Sequence, residues 1–431
     1  MSMVVAKIDW RQLYNFASRQ ALLGFCFDGI ERLTKEFSEE LKQNPMGRDL
    51  LMTWMGSAQQ IRRQNMKVNA VAGKLFAMLR VDRMRCCVLK GQGNALMYPN
   101  PYSRTPGDID VWIHANRERI MKYARKKFEL GDDIRLQHIE TSLDGVPVEL
   151  HFFPCSMNNP IYNARLQKWF RRNVDLQCSH FVGLPDGAGD IAIPTTAFNV
   201  IYQLTHLYHH FFDEGIGMRQ IIDYFLVVND FSKNVFLNND LSNSSVSLSK
   251  GSSTSHPSPL SSEERDVTAP SRCSEPLRSK DGGASKPSPN CAGWDRLTIE
   301  GDNSAGSATA VTSSASTALD VVQRELKYLG LWKFAGAVMY VLHEALGLSE
   351  EKMIAPMDEK RGKLLLAEIL EGGNFGRHFT KYGGFTHQSM GKKYFLKIWR
   401  NMHFVRYYPA EALCEPLFRT WHFFWRMKNK K

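Results

Sequence analysis

Asp108 and Asp110 lie two apart in the run Thr105-Pro-Gly-Asp-Ile-Asp-Val-Trp-Ile113. Side chains alternate along a strand, so both carboxylates point one way while Ile109, Val111 and Ile113 point the other, toward a core. Like charges so close repel, and a divalent cation reconciles them; ligation by oxygen alone suits magnesium, with manganese as its substitute. A second run, Val146-Pro-Val-Glu-Leu-His-Phe-Phe153, puts Val148, Leu150 and Phe152 on one face and Glu149 and His151 on the other. If a hairpin-type sheet brings Glu149 beside Asp108 and Asp110, three carboxylates can hold two cations. One would activate a hydroxyl and the other would hold a triphosphate and its leaving pyrophosphate. His151, on the face of Glu149, can assist acid–base chemistry, orient a carboxylate, or make a structural hydrogen bond.

Upstream, Lys90-Gly91-Gln92-Gly93 follows a strand and opens a helix. Amides at a helix start bind phosphate, glycine lets the backbone approach, and Lys90 adds charge. A plain strand-to-helix turn has the same pattern. Arg104, four residues before Asp108, is either a phosphate clamp or a solvated side chain. Downstream, His206 and His210 stand at the i, i+4 spacing of a metal pair. Leu207 occupies the place where a His-Glu-x-x-His protease needs Glu, and histidines on helices more often pack and hydrogen-bond. Glu214, Arg219 and Asp223 read as capping, ion-pairing or substrate-facing groups, with Gly215 and Gly217 marking a bend.

These side chains need elements to position them. Residues 1–82 read as an N-terminal helical region, with apolar positions such as Trp54, Ile61, Val68, Leu75 and Leu79 at helical spacing. Residues 83–190 form a core: a strand at 86–90, a strand through Asp108, a helix over 117–130, then strands at 134–141 and 146–153 joined by an Asp144-Gly145 hairpin turn. Residues 191–230 read as a helical region bordering the cleft. Residues 231–318 read as a disordered insertion, because 241–317 is dominated by Ser, Thr, Gly, Pro, Asn and Ala and has too little apolar surface to offset ordering entropy. Residues 319–431 return to helices, including one long apolar helix over 321–346 stopped by Gly347. The basic, aromatic tail from Lys392 reads as an amphipathic helix with core-spaced aromatics; single-stranded nucleic-acid or interfacial membrane binding would use similar residues.

The chain has 431 residues, 43% of them hydrophobic, and a formal net charge of +11. A moderate basic excess suits anionic partners and, equally, plain solubility. No apolar run is long enough to span a bilayer, the N-terminus lacks a signal-peptide core, and the eight cysteines include no Cys-x-x-Cys. A cytoplasmic protein with reduced thiols is expected.

Leu89-Lys-Gly-Gln-Gly93, Tyr98-Pro, Arg104, Gly107-Asp-Ile-Asp110, Val148-Glu-Leu-His151 and the helix His206–Tyr224 together resemble the nucleotidyltransferase superfamily that includes DNA polymerase beta. More narrowly they resemble its poorly characterised bacterial branch. The resemblance covers roughly 85–228. It implies an α+β fold, with a small mixed β-sheet nucleotidyltransferase core flanked by N- and C-terminal helical regions. It implies metal ligation and catalysis by Asp108, Asp110 and Glu149, and nucleotide contact at Gly91 and its neighbours, which with Lys90, Gln92 and Arg104 make the candidate nucleotide site; His151, His206 and His210 are candidate accessory groups by their positions alone. The implied reaction moves a nucleoside monophosphate from a triphosphate such as ATP to a hydroxyl of a protein, an RNA or a small molecule. Gln92 follows Gly91 where many members carry Ser or Gly. That departure supports an alternative, a non-catalytic nucleotide-binding or antitoxin-like regulatory protein with a protein partner. A nucleic-acid binder working through the basic tail is a third class.

Overall fold

A computed structural model describes residues 7–248, 317–379 and 389–429. Most of the insertion expected at 231–318 lies outside the described residues; its first part, through Leu248, is helix. Met1–Ser242 and Ser316–Lys431 make one compact unit; the other, Asn243–Ala315, is described only at 243–248.

The fold is α+β. Helices α1 (Trp10–Arg19), α2 (Leu23–Glu36), α3 (Ser38–Gln43) and the 34-residue α4 (Arg48–Val81) precede the sheet. Five strands follow: β1 (Cys86–Leu89), β2 (Ile109–Ile113), β3 (Leu130–Ile134), β4 (His138–Leu143) and β5 (Val146–His151). The short α5 (Gly91–Ala95) follows β1, and α6 (Arg117–Lys127) follows β2. Their order across the sheet is β1-β2-β5-β4-β3. Strand β2 pairs antiparallel with β1 but parallel with β5, because α6, β3 and β4 provide the crossover that parallel pairing requires. The strand expected at 134–141 is two: Arg135 N–H donates to His138 O at 3.2 Å, and the chain reverses there.

Period-two alternation splits the sheet between two cores. Cys86, Val88, Ile109, Val111, Ile113, Val148 and Leu150 pack against the stripe Val68, Ala72, Leu75, Phe76 and Leu79 of α4 and against Ile120 of α6. On the opposite face, Cys87, Leu89 and Trp112 join the larger helical core. That core is built from α7 (Pro160–Gln177), α8 (Thr196–Asp213), α9 (Met218–Leu248), α10 (Ala318–Tyr328), α11 (Trp332–Leu346) and α12 (Glu359–Gly372). A two-stranded ribbon, β6 (Phe181–Gly183) with β7 (Asp190–Ala192), packs beside α4.

The apolar helix expected over 321–346 is two helices. Gly330 has φ 74°, and a Cβ there would lie 2.6 Å from the Tyr162 ring, so the chain turns between α10 and α11. In the tail, the turn between α13 (Met390–Met402) and α14 (Pro409–Asn429) carries the buried Phe404 and Tyr408, but Phe395, Trp399, Trp421 and Phe424 on the helices are at least half exposed, so only part of the aromatic spacing serves the core. No described helix is long and apolar enough to cross a membrane.

Candidate active site

The register of β2 and β5 sets Asp110 opposite Glu149 and Trp112 opposite His151, with Leu89 of β1 opposite Asp110 on the other side. Ligand oxygens of Asp108, Asp110 and Glu149 therefore all lie within 4.8 Å of one another. Asp108, just before β2, is exposed; Asp110 is buried and Glu149 half-buried. Two bases reach in. Lys90 Nζ is 3.0 Å from Asp110 Oδ1. His151 Nε2 is 2.9 Å from the same oxygen and 3.1 Å from Glu149 Oε2. His138 Nδ1, which sequence reasoning missed, is 3.2 Å from Glu149 Oε2. The period-two signal for it was present, since β4 places His138 and Glu140 opposite His151 and Glu149.

This crowding separates the titrations. Asp110 and burial push Asp108 up to about 6, against the pull of Lys90. Burial would also raise Asp110, but Lys90 and His151 hold it well below the usual carboxylate range. Burial opposes the charged form of His151, yet its bonds to Asp110 and Glu149 raise it to about 9, so it is an imidazolium at neutral pH. Burial and the charge of His151 press His138 down to about 4.

The turn after β1 carries strain. Lys90 sits at φ 51°, ψ −137°, a backbone region where a side chain is costly, and Gly91 follows at φ 44°. Lys90 O accepts from Gly93 N at 3.0 Å as the short helix opens at Gly91. Gln92 points inward, is 3% exposed, and donates Nε2 to Asn69 Oδ1 of α4. One helical turn away, Asn65 Nδ2 donates to Tyr102 O at 2.9 Å and Arg104 O at 2.8 Å. Two buried asparagines thus hold the Lys90 turn and the loop leading into β2.

Arg104 is 4% exposed and gives Nε and Nη2 to Asp223 of α9, both at 2.8 Å. Tyr98 Oη also donates to Asp223, at 2.7 Å. Burial works against both charges, but Arg104 keeps Asp223 low and Asp223 keeps Arg104 high. Arg104 is thus not a solvated side chain: it lines the cavity with its fork engaged by the Asp223 carboxylate.

A cavity of about 630 Å³ opens over the acids. Its near wall is Lys90, Gly91, Asp108, Asp110, Glu149 and His151; its far wall comes from α8, α9 and the segment Phe375–Arg377. On α8, His206 Nε2 lies 2.8 Å from Lys90 Nζ and 3.1 Å from His210 Nε2. Burial pushes His206 far below its ordinary value and His210 down to about 3. The pair is occupied with Lys90 and with itself, and neither histidine belongs to a possible metal-ligand cluster among the described residues.

Two overlapping ligand sets exist. His138, Glu149 and His151 also come within 4.8 Å of one another. In that set a cation would have to displace the proton that His151 shares with Asp110 and Glu149. The all-oxygen set fits a hard divalent cation such as magnesium, with exposed Asp108 giving access.

The chain matches the model of a family described as uncharacterised nucleotidyltransferase, over residues 6–244. No curated protein matches. Among solved structures, an antigenic nucleotidyltransferase-like protein from Paracoccidioides brasiliensis is similar at 16% identity, over 37% of this chain and 75% of that one, with a TM-score of 0.25.

Proposed function

Because the chain belongs to this nucleotidyltransferase family, we propose that its cleft transfers a nucleoside monophosphate from a nucleoside triphosphate to an acceptor hydroxyl. The observation that carries this reading is the parallel register of Asp110 with Glu149, which gathers three carboxylates at the head of a cavity large enough for a nucleotide. Asp108, Asp110 and Glu149 would hold magnesium or manganese, which when bound supplies charge neutralisation for the triphosphate and acidifies the attacking hydroxyl.

The protein's own part is positioning and charge. Lys90 and the Gly91 turn face the triphosphate, with Lys90 able to exchange its bond to Asp110 for one to a phosphate oxygen. The acceptor oxygen bonds to the α-phosphorus as the bond to the β-phosphate bridging oxygen breaks, and pyrophosphate leaves with that electron pair. The hydroxyl proton passes to Glu149, whose Oε2 His151 holds at 3.1 Å.

Support for a second reading, a nucleotide-binding or antitoxin-like regulatory protein without turnover, lies in Asp110 Oδ1, which Lys90 and His151 both engage. One experiment separates them. The protein is incubated with each of four α-labelled triphosphates, magnesium or manganese, and cell extract. Label transferred by the wild type and lost with Asp108→Ala plus Asp110→Ala supports the enzyme and reports whether the acceptor is protein, RNA or a small molecule. Nucleotide binding without transferred label supports the second reading.

A further inference from the structure

Helix α9 starts at the floor of the cavity with two donors that nothing satisfies. Arg219 is 8% exposed; its Nη1 donates to Thr105 O at 3.0 Å, while its buried Nε has no partner. Gln220 is 7% exposed, and its Nε2 likewise has no partner. The orientation of that amide is set by its other end, where Oε1 accepts from Gly217 N–H at 2.9 Å and so caps the helix. Both residues line the cavity. A buried donor left unmade is costly, so two on adjacent residues beside a helix's positive end mark a place kept for an acceptor.

The surroundings choose its charge. Phe375, at φ 54°, holds its ring centroid 5.7 Å from the Arg219 guanidinium, and Arg377 lines the same cavity with its side chain exposed. Asp223 attracts both Arg104 and Arg219, so one carboxylate stands against two guanidinium groups and its oxygens are taken up by Arg104 and Tyr98. The wall is held close by glycines: a Cβ on Gly376 would lie 1.9 Å from Glu214 O, and one on Gly217 would lie 2.7 Å from Asn374 Cα.

We propose that the side chains of Arg219 and Gln220, with Arg377 lining the same cavity, form a phosphoryl-oxyanion subsite separate from the acids Asp108, Asp110 and Glu149. It rests on the nucleotidyl-transfer reading only for the carrier of that phosphoryl group, which is either the tail of the triphosphate or a phosphate on the acceptor. Arg377 lies beyond the family-matched residues 6–244, so the subsite joins that segment to the chain after the insertion.

The test uses the full chain in EDTA, where the metal reading plays no part, titrated calorimetrically with inorganic phosphate, pyrophosphate and tripolyphosphate. Binding is expected, with Arg219→Met and Gln220→Glu each weakening it at least about tenfold. Gln220→Glu keeps the cap on Gly217 while turning a donor into an acceptor. Exposed Arg377→Gln, whose folding is not at stake, is expected to weaken binding by about threefold or more. Affinity that rises with phosphate number assigns the subsite to the triphosphate tail; equal affinity for all three assigns it to a single phosphate on the acceptor. The proposal is overturned by no binding of any of the three anions, or by binding that Arg377→Gln and whichever of the other variants fold leave unchanged.

Discussion

Asp223 and Asp110 face the same cavity from opposite walls and each meets a cation, but their surroundings do not balance in the same way. At Asp223, one carboxylate receives the Arg104 fork and the Tyr98 hydroxyl, and both oxygens are used. At Asp110, three carboxylates share Lys90 and a protonated His151, which leaves one negative charge in excess beside an exposed Asp108. The balanced network has no vacancy for a ligand and acts as structure. The unbalanced one is where an incoming cation gains most.

Breaking the balanced network has the largest expected effect. Asp223→Asn or Arg104→Met leaves a buried partner uncompensated and should cost about 3–5 kcal/mol of stability, read as a large fall in the denaturation midpoint. The unbalanced network should respond the other way round. Asp108→Ala, at the exposed acid, should lower metal-dependent label transfer by about a hundredfold or more, with a melting temperature close to wild type. Asn65→Ala, which removes donors to Tyr102 O and Arg104 O, should cost about 1–3 kcal/mol in urea unfolding and blur the distinction by loosening the loop that serves both networks.

The smallest effect sharpens the comparison most. The Asp108 carboxyl is raised to about 6 in the fold, above its unfolded value, so its stabilising contribution is complete below pH of about 4 and disappears as pH rises through 6. Asp108→Asn should therefore make metal-free protein more stable at pH 7 than at pH 4 relative to wild type, by no more than about 1 kcal/mol given its exposure. Denaturant melts in EDTA at the two pH values check it, and a wild type without this pH slope would place Asp108 outside the repulsive cluster.

Strand chemistry was legible because it is local. Alternation alone put Asp108 with Asp110 and Glu149 with His151, and the strand expected at 146–153 is β5. What alternation cannot supply is which strand lies next to which. Glu149 reaches Asp110 through a parallel crossover and not through a hairpin with β2. Helical partners were less legible still. Asp223 meets Arg104 across 119 residues of sequence, and the rotation of α9 that brings it there depends on the whole helical core. Gln92 looked anomalous at a phosphate turn because its partner, Asn69, is a polar residue hidden in an apolar stripe of α4. Arg219 stood out in the sequence only as one of several charged groups on its helix, and Gln220 and Arg377 carry no motif; the assembled cavity sets them apart.

The contacts of Lys90 with α8 also decide where single protons sit. Lys90 is a donor only, so His206 Nε2 must present its lone pair, and the ring proton of His206 belongs on Nδ1. His210 Nε2, 3.1 Å from that same nitrogen, must then carry its own hydrogen, leaving His210 Nδ1 bare. The two neighbouring imidazoles are thus opposite tautomers, fixed by one ammonium group. Nitrogen-15 spectra of the ring nitrogens would display the asymmetry directly, and Lys90→Met would release it.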